Sequence, residues 1–149
     1  MEEHFSIRNI EPDDLETISQ IELESSLNPW SLQTLNKTLE EKSTIALLTQ
    51  SLDKKIISYL FCKYVLDEIE IENITTSNNF CRQGYASKLL NYLIQKGMQL
   101  KVKNFFLEVR YSNKKAISLY KKTGFKKLGI RKKYYQDGEN AILMNLSQT

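Results

Sequence analysis

Histidine and cysteine are scarce in this sequence. Its 149 residues include one histidine, His4, and two cysteines, Cys62 and Cys81. Two cysteines do not make a disulfide framework, and their positions do not match the spacing of zinc ligands. A catalytic cysteine paired with a histidine would need His4, which stands too near a chain terminus to be held in place as a base. The sequence therefore predicts neither a bound metal nor a cysteine nucleophile.

Long apolar runs are absent as well. No stretch approaches the roughly 18 apolar residues that span a membrane. The N-terminus, Met1-Glu2-Glu3-His4, is acidic and leads straight into a strand-like segment, which is unlike the basic start of a signal peptide. With 41% hydrophobic and 26% charged residues, the composition is ordinary for a soluble globular protein. We expect a cytoplasmic chain without membrane contact, in which residues 1–149 form one domain.

The net charge of +3 is too small to predict nucleic-acid binding by itself. The basic residues are nevertheless unevenly distributed, and we call residues 121–133 the basic cluster. It contains Lys121, Lys122, Lys126, Lys127, Arg131, Lys132 and Lys133. One interpretation is a solvated helix end and turn. The other is a surface that steers a polyanion, either a phosphorylated cofactor or RNA.

The spacing of apolar residues predicts alternating strands and helices. Strands are expected at 5–10, 44–49, 55–65, 68–72, 105–110, 128–135 and 139–146. Helices are expected from Pro12 to the Asn28-Pro29 step, after an N-cap at Ser31, along the stripe from Ala86 to Gly97, and from Asn113 or Ser112 to Gly124. The last two strands would form a hairpin turning at Asp137-Gly138. The predicted class is α+β, with a central, mostly antiparallel sheet flanked by helices.

The alternation of residues slips by one position in the fourth predicted strand. Ile69 and Ile71 alternate with glutamates, as expected for a strand with one buried face. Asn73 then occupies the expected apolar position and Ile74 the expected polar one. Such a slip is typical of a β-bulge, although a simple strand end would leave the same pattern. Periodicity alone does not decide between them.

A loop with a helix after it, residues 81–87, carries the first candidate binding site. The N-terminus of a helix offers unpaired backbone N–H groups and the positive end of the helix dipole, which together favour phosphate groups. Gly84 would allow close approach of the backbone, and Ala86 is small. A glycine before a helix is also common as a plain turn. The candidate phosphate-binding residues are Arg82, Gln83, Gly84, Tyr85, Ala86 and Ser87.

This loop resembles the acyl-CoA signature of the GNAT superfamily of N-acetyltransferases, Arg/Gln-x-x-Gly-x-Gly/Ala. The match is at Gly84 and Ala86, whereas Cys81 stands where the family prefers arginine or glutamine. The arginine or glutamine of the family acts there through its side chain, so its replacement by cysteine leaves the backbone donors of the loop in place. We therefore expect the backbone to bind acetyl-CoA as it does in the family.

A longer run resembles the ribosomal-protein-alanine N-acetyltransferases within that superfamily. It consists of Phe106-Leu107-Glu108-Val109-Arg110, Ser112-Asn113, Ala116-Ile117, Leu119-Tyr120 and Gly124-Phe125. Further matches are Asn28-Pro29-Trp30-Ser31, Asp67-Glu68, Tyr134-Tyr135 and Asp137-Gly138. Since these matches cover nearly the whole chain in the same order, the resemblance implies the GNAT fold. In that fold, strands 4 and 5 splay apart, and the acetyl-pantetheine arm enters the gap.

The resemblance also implies roles for individual residues. Glu108 would take the proton of the substrate amine, and Tyr120 would protonate the departing thiolate. The backbone at Ile74, Thr75 and Thr76 would face the thioester carbonyl as an oxyanion hole. The side chain of Asn113 would contact the pantetheine arm, and a peptide would dock against Trp30, Tyr134 and Tyr135. Each residue also has a structural interpretation: a solvent-facing glutamate, a core tyrosine, a helix N-cap or aromatic packing.

The function implied is direct transfer of an acetyl group, in a ternary complex, from acetyl-CoA to a protein N-terminus. The resemblance suggests the N-terminal alanine of a small-subunit ribosomal protein as the acceptor. A free α-amine has a pKa of about 7.7–8.0, against about 10.4 for lysine, so it loses its proton more readily. Two alternatives remain: a GNAT enzyme that acts on a small amine or a lysine side chain, and a non-catalytic module that binds acetyl-CoA or RNA. We expect a monomer or a weak dimer.

Overall fold

The order of strands and helices follows the prediction closely. The computed structural model describes residues 4–148, so the acidic residues 1–3 and Thr149 lie outside it. The strands are β1 (Phe5–Asn9), β2 (Thr44–Ser51), β3 (Ile56–Val65), β4 (Glu68–Thr76), β5 (Asn104–Arg110), β6 (Lys126–Arg131) and β7 (Ala141–Ser147). The α-helices are α1 (Leu15–Ser25), α2 (Leu32–Glu40), α3 (Tyr85–Gln99) and α4 (Lys114–Thr123). Short 3-10 turns, Pro12–Asp14 and Asn78–Phe80, precede α1 and α3.

The seven strands form one sheet in the order β1-β2-β3-β4-β5-β7-β6. Every neighbouring pair is antiparallel except β4 and β5, which run parallel. The parallel pairing extends only from Glu68 opposite Asn104 to Ile71 opposite Leu107. Beyond those residues, β4 and β5 continue without pairing to each other. The predicted α+β class, the mostly antiparallel sheet and the gap between strands 4 and 5 are confirmed.

The phase slip in β4 is a β-bulge. Phe61 of β3 lies opposite Asn73, but its neighbour Cys62 lies opposite Ile71, so Glu72 is an extra residue without a partner on β3. A strand end, the alternative interpretation, is wrong, because β4 continues to Thr76. A bulge bends its strand. Here the bend falls immediately after Ile71, the last residue of β4 that pairs with β5, and it leads β4 away from β5.

Helices cover both faces of the sheet. On one face, α3 lies over β3 and β4, and its buried stripe joins one apolar cluster that includes Leu93, Phe105 and Met144. A side chain at Gly97 would collide with the ring of Phe105, so this ring packs directly against the helix backbone. On the other face, residues of α1 and α2 such as Ile18 and Leu35 form a second cluster with β2 and β3. These contacts hold the first turn of α3 beside the gap in the sheet.

The helix ends are set by local hydrogen bonds. The Ser31 hydroxyl accepts a bond from the N–H of Thr34 (3.1 Å), which confirms it as the N-cap of α2. Asn113, rather than Ser112, caps α4, because its side-chain oxygen accepts a bond from the N–H of Ala116 (3.2 Å). The helix ends at Gly124, whose φ of 117° is one that other residues rarely adopt.

The predicted tail hairpin is wrong in its extent. Strand β6 ends at Arg131, and residues 132–140 form a loop instead of continuing the two strands to a tight turn. Lys133 has a φ of 52°, which is incompatible with a strand. The N–H of Gly138 donates to the carbonyl of Tyr135 (2.9 Å), so the turn forms where expected, but inside a longer loop. We call residues 132–140 the tyrosine loop.

Helices long and apolar enough to cross a membrane are not found within residues 4–148.

Candidate active site

A cleft of about 810 Å³ lies where β4 and β5 separate. Residues 71–76 of β4 form one wall and residues 107–110 of β5 form the other. The segment between α1 and α2 closes one end, and α4 closes another with Asn113, Ala116 and Tyr120. The bulge thus generates the cleft by ending the strand pairing in the middle of the sheet.

Most of the predicted site residues border this cleft. They are Trp30, Ile74, Thr75, Thr76, Ala86, Glu108, Asn113, Tyr120 and Tyr135. The others lie outside its lining: Arg82, Gln83, Gly84, Tyr85 and Ser87 surround the N-terminus of α3, and Tyr134 lies in the tyrosine loop. Since Cys81 and Ala86 do border the cleft, the α3 N-terminus adjoins its edge.

The N-terminus of α3 can hold a phosphorylated group. Gly84 is the N-cap residue and has a φ of 81°. The N–H of Lys88 makes a helical bond to the carbonyl of Gly84 (3.1 Å), so the N–H groups of residues 85–87 precede the helical ladder. Apart from Gly84 itself and the adjoining chain, no heavy atom of residues 4–148 lies within 4 Å of where a Cβ of Gly84 would stand. Donors, a positive helix end and open space therefore coincide, as a diphosphate requires.

Glu108 at the cleft wall forms an ion pair with a side chain from outside β5. Its side chain is 20% exposed, and Oε1 lies 3.4 Å from Nε of Arg131. The carboxylate of Glu108 is also the main cause that raises the pKa of the Tyr134 phenol, so Tyr134 lies near it. The arrangement fixes the carboxylate while leaving part of it accessible from the cleft.

A second carboxylate, Glu72, borders the same cleft. It is the extra residue of the bulge, and burial is the main cause that raises its pKa. The nearby carboxylates of Glu70 and Glu41 raise it further, against the opposing effect of Lys63. Glu72 is therefore a rival candidate for a general base.

Tyr120 is buried where α4 meets the cleft. Its ring contacts Phe125 edge-on, with 5.9 Å between centroids. Burial is the main cause that raises the pKa of Tyr120, and the Tyr135 phenol contributes next. Tyr120 therefore keeps its proton at neutral pH.

Arg110 has a positioning role that the sequence did not reveal. Its side chain is 11% exposed, and Nη1 lies 2.8 Å from Asp137 and 3.0 Å from Glu139. The guanidinium also lies 4.1 Å from the centroid of the Tyr135 ring. Arg110 therefore anchors the tyrosine loop to β5. Acidic residues near the predicted turn, Asp137 among them, indicated that a basic partner was needed. Nothing in the sequence identified that partner as Arg110, which lies 27 positions from Asp137.

Comparisons with known proteins agree with this geometry. The acetyltransferase (GNAT) family matches residues 6–125. A [ribosomal protein bS18]-alanine N-acetyltransferase of Haemophilus ducreyi is 37% identical over 144 residues, which is 94% of this chain and 98% of that protein. The enzyme of the same description from Escherichia coli strain K12 is 36% identical, with coverage of 95% and 96%. The crystal structure of the Escherichia coli ribosomal-protein-S18-alanine N-acetyltransferase superimposes with a TM-score of 0.90 at 33% identity, covering 96% of this chain and 93% of that one.

Gly84 provides a test of the phosphate site at α3. We predict that Gly84→Glu weakens acetyl-CoA binding by at least about tenfold, because like charges brought together at a binding surface cost several kcal/mol. Gly138→Glu is the matched control, since Gly138 also has a positive φ (87°) and open space around it, but lies in the tyrosine loop. Isothermal titration calorimetry measures both affinities. Equal affinities for the two variants would show that the phosphates bind elsewhere.

Proposed function

The chain belongs to the acetyltransferase (GNAT) family, and we propose that this acyltransferase acetylates the N-terminal alanine of a small-subunit ribosomal protein. Two relatives with that activity in their descriptions are 36–37% identical to it over nearly the whole of both chains. This full-length similarity is the observation that carries the proposal. The seven-stranded sheet, which extends from Phe5 to Ser147, supports treating residues 1–149 as a single domain.

Acetyl-CoA is the cofactor that the family uses, and the residues around the cleft fit it. The diphosphate would be bound by the backbone N–H groups at the start of α3, those of Tyr85, Ala86 and Ser87. The loop before them would contribute Arg82, Gln83 and Gly84. The oxygen of Asn113 is occupied by the α4 cap, which leaves the amide NH₂ to donate to a pantetheine arm. When bound, acetyl-CoA supplies an acetyl group activated as a thioester. The backbone N–H groups near Ile74, Thr75 and Thr76 would stabilise negative charge on the carbonyl oxygen.

Glu108 serves as the base in this proposal. Its carboxylate takes a proton from the substrate ammonium or amine, directly or through a water molecule, so that the nitrogen can attack the acetyl carbon. The ion pair with Arg131 restrains the carboxylate without covering it fully, and the phenol of Tyr134 lies near it. An α-amine suits this base better than a lysine side chain, because its pKa of about 7.7–8.0 is closer to neutrality.

Tyr120 serves as the acid. Its phenol donates a proton to the thiolate as that group departs, and burial keeps the phenol protonated until then. The proton taken up by Glu108 and the one given by Tyr120 balance, so the enzyme returns to its starting state through exchange with water. Direct transfer of this kind needs no covalent acetyl-enzyme.

The peptide would occupy the end of the cleft bordered by Trp30 and Tyr135, with Tyr134 beside Glu108. A ribosomal protein would be encountered in the cytoplasm. All seven side chains of the basic cluster are exposed, which is compatible with RNA near the substrate. We retain RNA proximity, and a monomeric or weakly dimeric state, as predictions.

A pair of peptides tests the substrate assignment. One begins with a free alanine and contains no lysine, and the other has the same sequence with a blocked N-terminus and one internal lysine. We expect only the first peptide to be acetylated, with release of CoA. Mass spectrometry detects the modification. Modification of the lysine peptide alone would favour the lysine alternative. Salt-sensitive RNA binding without any CoA release would favour the non-catalytic module.

Removing the charge of Glu108 should slow turnover while leaving the fold intact. We predict that Glu108→Gln lowers kcat by roughly 10²–10⁴-fold, the range for general acid–base groups, with acetyl-CoA affinity near that of the wild type. Glu70→Gln, exposed on neighbouring β4 and outside the cleft, is the matched control. The same change at Glu72 tests the rival base. If only Glu72→Gln reduces kcat, the assignment to Glu108 is wrong.

Tyr120→Phe separates a catalytic from a structural role, because it deletes only the hydroxyl. Since burial and the Tyr135 phenol, rather than a hydrogen bond within residues 4–148, raise the pKa of Tyr120, we expect little change in melting temperature. Turnover should fall by more than about tenfold, in keeping with loss of a general acid. A fully active variant destabilised by about 0.5–1.5 kcal/mol, the usual net value of one hydrogen bond, would instead identify a structural tyrosine. Turnover and thermal denaturation measured on the same preparation distinguish these outcomes.

A further inference from the structure

Glu22 on α1 is a fully buried acidic residue, with 0% of its surface exposed. A carboxylate is costly to bury unless hydrogen-bond donors surround it. The core on this face of the sheet contains an apolar cluster with residues such as Ile18 and Leu35. Glu22 does not border the cleft itself. Its burial therefore calls for an explanation other than direct contact with a substrate.

Three donors from different parts of the chain converge on the Glu22 carboxylate. Oε1 accepts the backbone N–H of Trp30 (2.8 Å), and Oε2 accepts the hydroxyl of Tyr59 on β3 (2.6 Å). The single hydroxyl proton of Thr75 on β4 is shared between Oε2 (3.3 Å) and the side-chain oxygen of Asn73 (2.8 Å), so its bond to Glu22 is the weakest of the three. Burial and the hydrogen bond to Glu22 raise the pKa of Tyr59, so its phenol remains a donor.

Two of these donors belong to opposite parts of the cleft lining. Trp30 is in the segment between α1 and α2, where the proposed peptide would lie, and Thr75 follows the bulge, where the thioester would lie. We propose that Glu22 is a positioning residue that fixes the Trp30 segment relative to the β4 bulge and so aligns the peptide N-terminus with the acetyl group. This inference rests on the proposed function for its substrate, whereas the link from Glu22 to Trp30 stands on geometry.

The chemistry of the partners requires an acceptor at position 22. The backbone N–H of Trp30 can only donate a hydrogen bond, and rotation of a side chain does not turn it into an acceptor. Alanine would leave this N–H and the Tyr59 hydroxyl without their buried acceptor, so the Trp30 segment would shift to reach water. Glutamine retains one oxygen for Trp30, and its NH₂ can donate to the oxygens of Tyr59 and Thr75, because hydroxyl groups both donate and accept.

The chain contains a single tryptophan, so the fluorescence of Trp30 reports directly on this segment. The experiment compares wild type, Glu22→Ala, Glu22→Gln and Tyr59→Phe in the full chain. Tyr59→Phe is the matched control, since it removes a buried hydrogen bond to the same carboxylate without altering those to Trp30 and Thr75. Acrylamide quenching of Trp30, acetyl-CoA affinity, and kcat/KM for a short peptide beginning with alanine are measured for each.

We expect Glu22→Ala to increase quenching of Trp30 and to lower kcat/KM for the peptide by about tenfold or more, because small misplacements of a substrate reduce rates steeply. Acetyl-CoA affinity should stay within about twofold, since the cofactor's phosphates bind at α3. Glu22→Gln should keep Trp30 quenching and kcat/KM close to their wild-type values. Tyr59→Phe should lower the melting temperature but leave quenching and kcat/KM nearly unchanged.

Two results would overturn the inference: wild-type quenching and kcat/KM in Glu22→Ala, or changes of equal size in Tyr59→Phe. If Glu22→Ala does not fold, Glu22→Asp takes its place, because it keeps the charge but is one methylene shorter, and the same two changes are expected. A wild-type protein that fails to acetylate the peptide would contradict the proposed function. An increase in Trp30 quenching in the variant would still support the link between Glu22 and Trp30.

Discussion

The pairing between β4 and β5 stops in the middle of the sheet, and the rest of the site depends on that interruption. A backbone that leaves its hydrogen-bonded partner keeps N–H and C=O groups that need other partners. Here the extra residue Glu72 ends the pairing after Ile71 and Leu107, while both strands continue. The unpaired stretches face a cleft, where water or the amides of an extended ligand can satisfy them. The interrupted pairing thus leaves room in the sheet for a ligand that carries amide groups of its own.

An opening in a sheet must be held at a fixed width, and two charged side chains do this from opposite sides. Arg110 ties the tyrosine loop to β5 through Asp137 and Glu139. Glu22 connects the segment at Trp30 with β3 and the bulged end of β4. Exposed ion pairs contribute little to stability, but Arg110 is nearly buried and Glu22 is wholly so. Leaving a buried partner of Glu22 without its acceptor costs about 1–3 kcal/mol, so the Trp30 side of the cleft is well defined.

Local patterns in the sequence were sufficient for most elements, and they pointed to the bulge, although a strand end fitted the same pattern. The slip at Asn73 and Ile74 marked it, because side chains on a strand alternate strictly and an inserted residue reverses them. The helix caps at Ser31 and Asn113 were equally local. The tail was mispredicted because its conformation depends on Arg110, a distant residue whose ion pairs favour a loop over a longer hairpin. Glu22 was overlooked for the same reason: its three donors are 8, 37 and 53 positions away, and no periodicity records such contacts.

The basic cluster has a consequence for the sheet as a whole. Strand β6 is at the edge, so one side of its backbone has no neighbouring strand among residues 4–148, and Leu128 and Ile130 on it are exposed. An open edge with apolar side chains can pair with the same edge of another molecule and start aggregation. Lys126, Lys127 and Arg131 would bring like charges together in any such pair. The positive charge therefore opposes edge-to-edge pairing of two copies of the chain, whether or not a polyanion ever binds there.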